Sequence, residues 1–232
     1  MTVLVVAAHP DDEVLGCGGS LARHVRLGNR VHVLILAEGA TARDDLRDVD
    51  ARQTDLLGLR EAAGRAAGVL GIAAPRFGGF PDNRMDSVAI LDVTKRVESV
   101  VEEIAPSVVY THHGGDLNRD HRIVHEAVLT ACRPLPGRSV RQLFAFETLS
   151  SSEWASESIG PGFRPRRFVD ISVDLDAKLR ALECYEQEMR QFPHPRSHEA
   201  VQALARLRGS QVGLMAAEAF DVIFDIDTYG DE

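Results

Sequence analysis

Residues 3–8 read Val3-Leu4-Val5-Val6-Ala7-Ala8, and the next five read His9-Pro10-Asp11-Asp12-Glu13. A continuous apolar run of this length, rich in β-branched residues, suits a strand buried on both faces. Such strands belong to parallel sheets covered by helices. The abrupt change to one imidazole and three carboxylates adds a second constraint. Charge crowded at a strand end is costly unless it faces water or a cation offsets it. In open α/β sheets the carboxyl ends of strands are where ligands bind. Residue 9 onward therefore reads as a metal or catalytic site.

The same strand-then-helix alternation continues down the chain. Leu15 to Leu27 has helical spacing and stops at Gly28-Asn29, and Val31–Ala37 is the next strand. Arg52 to Leu70 carries Leu56, Leu59, Ala63, Ala66, Ala67 and Leu70 at helical intervals, with Gly71 just past its end. A short strand near Pro75–Phe80 leads into the turn Pro81-Asp82-Asn83. Ile90, Val93, Val97, Val100 and Ile104 share one helix face that ends before Pro106. Val108–Thr111 is another buried strand, and Val124, Val128 and Ala131 mark a helix after it. Leu143–Phe146 and Phe168–Ile171 read as later strands.

Alternating β and α units predict an α/β fold: a Rossmann-like, doubly wound, mostly parallel sheet flanked by helices. The tail from Leu175 to Phe220 reads as a C-terminal helical segment. It forms two helices broken at Phe192-Pro193-His194-Pro195-Arg196, with Ser197 capping the second and Glu199 in its first turn. No internal repeat or linker divides the chain, so residues 1–232 are expected to form one domain.

The composition excludes several classes. A net charge of -9 disfavours nucleic-acid binding, which needs a basic face. Three scattered cysteines, Cys17, Cys132 and Cys184, an odd count, give no disulfide framework and no Cys-x-x-Cys metal pair, so a reducing compartment is expected. No basic segment precedes the first strand, and no apolar run approaches the ~20 residues of a membrane helix. A cytoplasmic protein without a membrane partner is the expectation.

A second charged strand end follows Tyr110: Thr111-His112-His113-Gly114-Gly115-Asp116-Leu117-Asn118-Arg119-Asp120-His121. Two strands of one sheet that each end in His and Asp can converge at its carboxyl edge. A catalytic zinc takes three His or carboxylate ligands and keeps a position open. His9, Asp12 and one of His112, His113 or His121 would supply that set, and spacing alone does not choose among the three histidines. His121 opens a helix, which would hold it firmly. His125 lies one turn on, but the pair lacks the intervening Glu of the zinc-protease helix.

Other motifs fall away on inspection. Asp116-x-Asn118-x-Asp120 resembles the start of a calcium loop, yet His121 stands at the sixth position and Ala127 at the twelfth, where Gly and Glu are needed. Gly16-Cys17-Gly18-Gly19 does not fit the dinucleotide pattern G-x-G-x-x-G, so these glycines are read as letting a helix approach the sheet. Cys17 is read as packing rather than as a nucleophile. His24 and His32 are read as structural or surface residues, and His198 as a polar first-turn residue.

His9-Pro10-Asp11-Asp12-Glu13 together with Asp120-His121-x-x-x-His125 resembles the LmbE-like (PIG-L type) zinc-dependent N-deacetylase family. The resemblance extends from Val3 to Phe220. It implies His9, Asp12 and His121 as metal ligands, Asp11 as general base towards zinc-activated water, and Glu13 as a support of the ligand loop. Iron(II) suits the same ligands as zinc. Many members carry a His three residues before the ligand His, where it helps stabilise the oxyanion; Asn118 stands there in this chain. An Asn amide can still donate a hydrogen bond, and His112, His113 or the Pro-flanked His194 are further candidates for that role or for protonating the leaving amine. Asp82 matches a position that contacts substrate hydroxyls. Arg43, Arg60 and the segment Ser150–Ile159 with Trp154 are candidate pocket walls.

The resemblance implies a hydrolase that removes an N-acetyl group from a small amino sugar or its conjugate. Assembly as trimers or hexamers follows by the same analogy. Alternatives are an amidase acting on a larger acyl group or a thiol conjugate, and a non-catalytic metal-binding protein; the intact Asp11 argues against the last.

Overall fold

A computed structural model of the chain describes residues 1–227, apart from the side chain of Arg43. Seven strands form one sheet: β1 (Thr2–Ala7), β2 (Arg30–Ala37), β3 (Arg76–Phe80), β4 (Val108–His112), β5 (Gln142–Phe146), β6 (Arg167–Asp170) and β7 (Ala217–Asp225). Their order is β3-β2-β1-β4-β5-β7-β6, and the first five run parallel. β7 pairs antiparallel with both β5 and β6. Six helices cover the sheet: α1 (Asp12–Arg26), α2 (Gln53–Leu70), α3 (Ile90–Ile104), α4 (Arg119–Ala131), α5 (Leu175–Glu183) and α6 (His198–Ser210). This is the Rossmann-like α/β arrangement expected from the alternation.

The central strand shows why the apolar run is unbroken. Val3 and Val5 pack into a core with α1, α2, α5 and α6, whereas Leu4 and Val6 pack into a second core with α3 and α4. Successive side chains of a strand point to opposite faces, so a strand covered on both must be apolar at every position. β1 lies between β2 and β4, with Val3 in register with both Val31 and Val108. Strand order reverses there, and such a switch point opens a crevice at the carboxyl ends. The charged segments after β1 and β4 both enter it.

The C-terminal expectation needs one correction. α5 and α6 are helical, and the Ser197 side chain accepts a hydrogen bond from Ala200 N as an N-cap should. Residues 217–220, however, belong to β7 and not to a helix. Ala and Glu favour helices locally, but Ala217, Ala219 and Phe220 are buried against the sheet, and the ladder to β5 and β6 overrides the propensity.

α1 is interrupted. Cys17 has non-helical backbone angles (φ -146°, ψ 15°), and polar side chains from distant elements repair the gap. The Lys178 ammonium donates to the Leu15 carbonyl at 2.8 Å, and Glu218 accepts from Gly19 N and Ser20 N at 2.9 and 2.7 Å. Lys178 and Glu218 also pair with each other at 2.6 Å, fully inside the protein. The glycines serve close packing, as expected: a Cβ on Gly16 would lie 2.2 Å from the buried Phe146 ring. Gly16→Ala is expected to cost about 1–3 kcal/mol through overpacking, read as a lowered urea midpoint.

His24, on α1, is buried between Tyr110 and Asn29, with Nε2 3.1 Å from the Tyr110 hydroxyl. Burial, then the charges of Arg23 and Arg167, push its pKa down to about 4. The unfolded chain takes up this proton near pH 6.5 and the folded chain only near 4. The neutral ring's contribution is therefore complete above about pH 6.5 and is lost as the pH falls towards 4. Between pH 7 and 5, urea unfolding should lose about 2 kcal/mol less in His24→Gln than in the parent protein.

Candidate metal centre and reaction cavity

The chain turns sharply between β1 and α1. Asp11 takes a left-handed backbone conformation (φ 109°), uncommon for any residue but Gly, Asn or Asp. Its carbonyl accepts from Val14 N and Leu15 N and so starts α1. This strained corner aims Asp11 and Asp12 in different directions.

Asp12 is fully buried and faces imidazoles. Its Oδ2 accepts from His9 N at 2.8 Å and lies 3.2 Å from His9 Nδ1, 3.3 Å from His121 Nε2 and 3.5 Å from His112 Nε2. Among the described residues, Asp12 Oδ1 and His121 Nε2 are buried without a hydrogen-bond partner. Ligand atoms of His9, Asp12 and His121 all lie within 4.8 Å of one another. Two imidazoles and a carboxylate, with Asp12 Oδ1 and His121 Nε2 left unpartnered, are a donor set that fits zinc or iron(II).

The electrostatics agree with that fit. Burial raises the Asp12 pKa and the His121 and His112 charges lower it; the net result is well below the usual carboxylate range. Burial opposes a charge on His121, but Asp12 and Asp116 hold its pKa up near 9. Protons thus supply positive charge that a divalent ion would bring on displacing them.

Each imidazole has its own carboxylate behind it. Asp120 Oδ2 lies 3.2 Å from His9 Nε2, while its Oδ1 accepts from Met85 N. Asp116 Oδ1 lies 3.0 Å from His121 Nδ1. Asp116 is itself held by the hydroxyls of Ser151 and Ser152 and by Asn118 N. Such carboxylate–histidine pairs fix ring orientation and tautomer.

The other histidines separate cleanly. His112 stacks on His121 at 3.9 Å and uses Nε2 to accept from Ala8 N. His113 Nε2 contacts the Pro161 carbonyl, and His125 Nδ1 contacts the His112 carbonyl. None of the three joins the His9–Asp12–His121 cluster.

A cavity of about 290 Å³ opens over His9 and Asp11, and Asp82, Asn83, Asn118 and Arg196 line it. That volume lies at the small end of the range for small-molecule sites. Arg196 Nη1 donates to Asp11 Oδ2 at 2.8 Å, and its Nε donates to Ser150 Oγ at 2.7 Å. Burial raises the Asp11 pKa and Arg196 opposes this; the result stands well above the usual carboxylate range. Glu13 accepts from Tyr185 OH at 2.6 Å and from Asp11 N at 3.1 Å, which braces the corner. Its pKa is pushed up to about 7, chiefly by burial.

Asn118 caps α4, its Oδ1 accepting from Asp120 N, while Nδ2 donates to Asn83 Oδ1. It lines the cavity and its amide has one further N–H. His194 does not line it: Nδ1 accepts from Arg196 N, and the ring meets Trp154 edge-to-face at 6.3 Å. Arg60 lies over the Phe77 ring, away from the cavity, and the Arg43 side chain is outside the described residues. Sequence reading missed Arg196 and Asp116 as site residues. Arg196 approaches from 185 positions away with no spacing signal, whereas Asp116 stood in plain view within the second motif.

A family model described as PIG-L, GlcNAc-PI de-N-acetylase, matches residues 4–132, and the chain belongs to that family. The uncharacterized deacetylase YaiS of Escherichia coli (strain K12) is 29% identical over 187 residues, covering 78% of this chain and 88% of YaiS. The 1D-myo-inositol 2-acetamido-2-deoxy-alpha-D-glucopyranoside deacetylase 1 of Saccharopolyspora erythraea is 27% identical over 241 residues, covering 82% of this chain and 78% of the relative. Among solved structures, GalB, the 4-carboxy-2-hydroxymuconate hydratase of Pseudomonas putida KT2440, superposes with a TM-score of 0.74 at 25% identity, covering 100% of this chain and 99% of that one. The family is one of enzymes acting on N-acetyl amides. No helix among the described residues is long and apolar enough to cross a membrane.

Asp116→Asn removes the charge behind His121. Divalent-ion affinity is expected to fall about 10- to 100-fold, measured by competition with a chromophoric chelator.

Proposed function

We propose that this protein is a metal-dependent hydrolase that removes the N-acetyl group of a small amino-sugar conjugate, with His9, Asp12 and His121 holding the ion. The observation that carries this reading is the His9–Asp12–His121 trio, with buried and unpartnered Asp12 Oδ1 and His121 Nε2, beside a cavity that holds the Asp11 carboxylate. A bound zinc or iron(II) would polarise the amide carbonyl and lower the pKa of water in the site.

The chain's own residues do the rest. Asp11, oriented by Arg196, accepts the proton of the attacking water at Oδ1 or Oδ2 and later returns it to the leaving nitrogen. The Asn118 amide faces the cavity and supplies a donor for the carbonyl oxygen as it gains charge. Asp82 Oδ2 accepts from Ala42 N and Oδ1 from Asn83, so this carboxylate is set to receive a sugar hydroxyl through its remaining lone pairs. Acetate and a free amine are the products. His194 acts through Arg196 in this reading and not on the substrate.

A second reading is hydration of an activated carbon–carbon double bond, favoured by the full-length likeness to GalB. Both reactions consume one water, and the products separate them. Incubation with N-acetylglucosaminyl conjugates should release acetate and a primary amine in equal amounts. Loss of conjugated-alkene absorbance without amine release selects the hydratase instead. Asp11→Asn should retain the ion, by elemental analysis, and lose about 10²- to 10⁴-fold in kcat; full turnover in that variant removes Asp11 from its role.

A further inference from the structure

A second depression, about 180 Å³, adjoins the reaction cavity and shares Glu188 and Arg196 with it. Ser150, Trp154, Arg190 and His194 complete its walls. Trp154 is the chain's one tryptophan and stands 54% exposed. Tryptophan is usually well buried, and an indole left open beside a polar depression offers a flat apolar face with little to gain from water.

The surrounding chain holds the backbone that carries this ring, and the ring itself meets His194 edge-to-face. Trp154 ends a short 3-10 turn, Ser152–Trp154. Glu153 accepts from Ser150 N and Ser151 N, and the hydroxyls of Ser151 and Ser152 both donate to Asp116. Arg196 ties Ser150 to Asp11. The segment that bears the indole is thus tied through Arg196 to the candidate base and through Ser151 and Ser152 to the carboxylate behind His121. A backbone anchored in this way leaves only the side-chain torsions of Trp154 to be ordered on binding.

An apolar platform ringed by a carboxylate, a guanidinium and an imidazole suits one ligand chemistry well. A pyranose has an apolar C–H face for the indole and an equatorial rim of hydroxyls for polar side chains. We propose that this depression is a second saccharide subsite, with Trp154 as platform for a sugar ring joined to the N-acetylated residue in the reaction cavity. The proposal rests on the deacetylase reading for its substrate class, and its binding arm is independent of turnover.

The single tryptophan makes binding directly readable. Titrating the intact protein with glucosamine and with α- and β-linked glucosamine disaccharides should quench or blue-shift its fluorescence. At least one disaccharide should act at a concentration about 10-fold or more below the monosaccharide. Equal responses to mono- and disaccharides, or none, overturn the subsite. In turnover, Trp154→Ala should lower kcat/KM for the N-acetylated disaccharide about 10-fold, leave the monosaccharide within about 2-fold, and be rescued by Trp154→Phe. An equal loss on both substrates overturns the proposal. A disaccharide-selective fluorescence response without amine release from any N-acetylated sugar supports the subsite and overturns the deacetylase reading.

Discussion

Asp12 is the point on which this architecture closes. A fully buried carboxylate within 3.5 Å of three imidazoles is tolerable only if positive charge is held beside it. His9 comes with it on the same turn, whereas His112 ends the neighbouring strand and His121 follows it on α4. The pairing of β1 with β4 is therefore a precondition of the cluster, and the cluster in turn pins the carboxyl ends of both strands. Neither segment can shift by one residue without turning its charges into an apolar core.

The layers around Asp12 repeat one solution. His9 has Asp120 behind it, His121 has Asp116, Asp11 has Arg196, and Glu13 has Tyr185. The break in α1 is closed by Lys178 and Glu218, which reach the helix from α5 and β7. A buried ion pair of this kind adds little net stability against an apolar replacement. Its value here is positional. It replaces helix hydrogen bonds lost at Cys17, three turns or fewer from the residues that enter the cavity, and so keeps the first turn of α1 aligned while Gly16 and Gly19 pack against Phe146 and Ile171.

The legible parts of the sequence were those in which local and global signals agree. Val3–Ala8 had to be a two-face-buried strand, the apolar stripe of α3 had one possible face, and the histidine–aspartate segments had to lie at strand ends. From spacing alone the ligand histidine stayed open among three, since only the fold shows His112 committed to Ala8 N and His113 to Pro161. β7 was hidden because Ala217-Glu218-Ala219 carries helix-forming residues into a strand that tertiary pairing dictates. Arg196 was hidden for a different reason. It lies in a Pro-flanked turn whose sequence explains itself without a partner, and its contact with Asp11 exists only once α5 and α6 have packed beside α1.

Asn118 sharpens what the hydrolytic reading asks of this chain. An imidazole at that position could both donate a hydrogen bond and give up a proton near neutral pH. An amide can donate but does not ionise. Asn118 is further committed by capping α4 through Oδ1 and by bonding Asn83 through Nδ2. The proton for a departing amine then has to come from a carboxyl group that can hold one. In the proposed reaction Asp11 takes this part: burial favours its protonated form, and Arg196 keeps the ionised form accessible. One carboxyl serving as base and then as acid needs to stay within reach of both the water and the leaving nitrogen. The bond from Arg196 and the strained left-handed corner at Asp11 hold it at the cavity wall, the placement that the proposed double role requires.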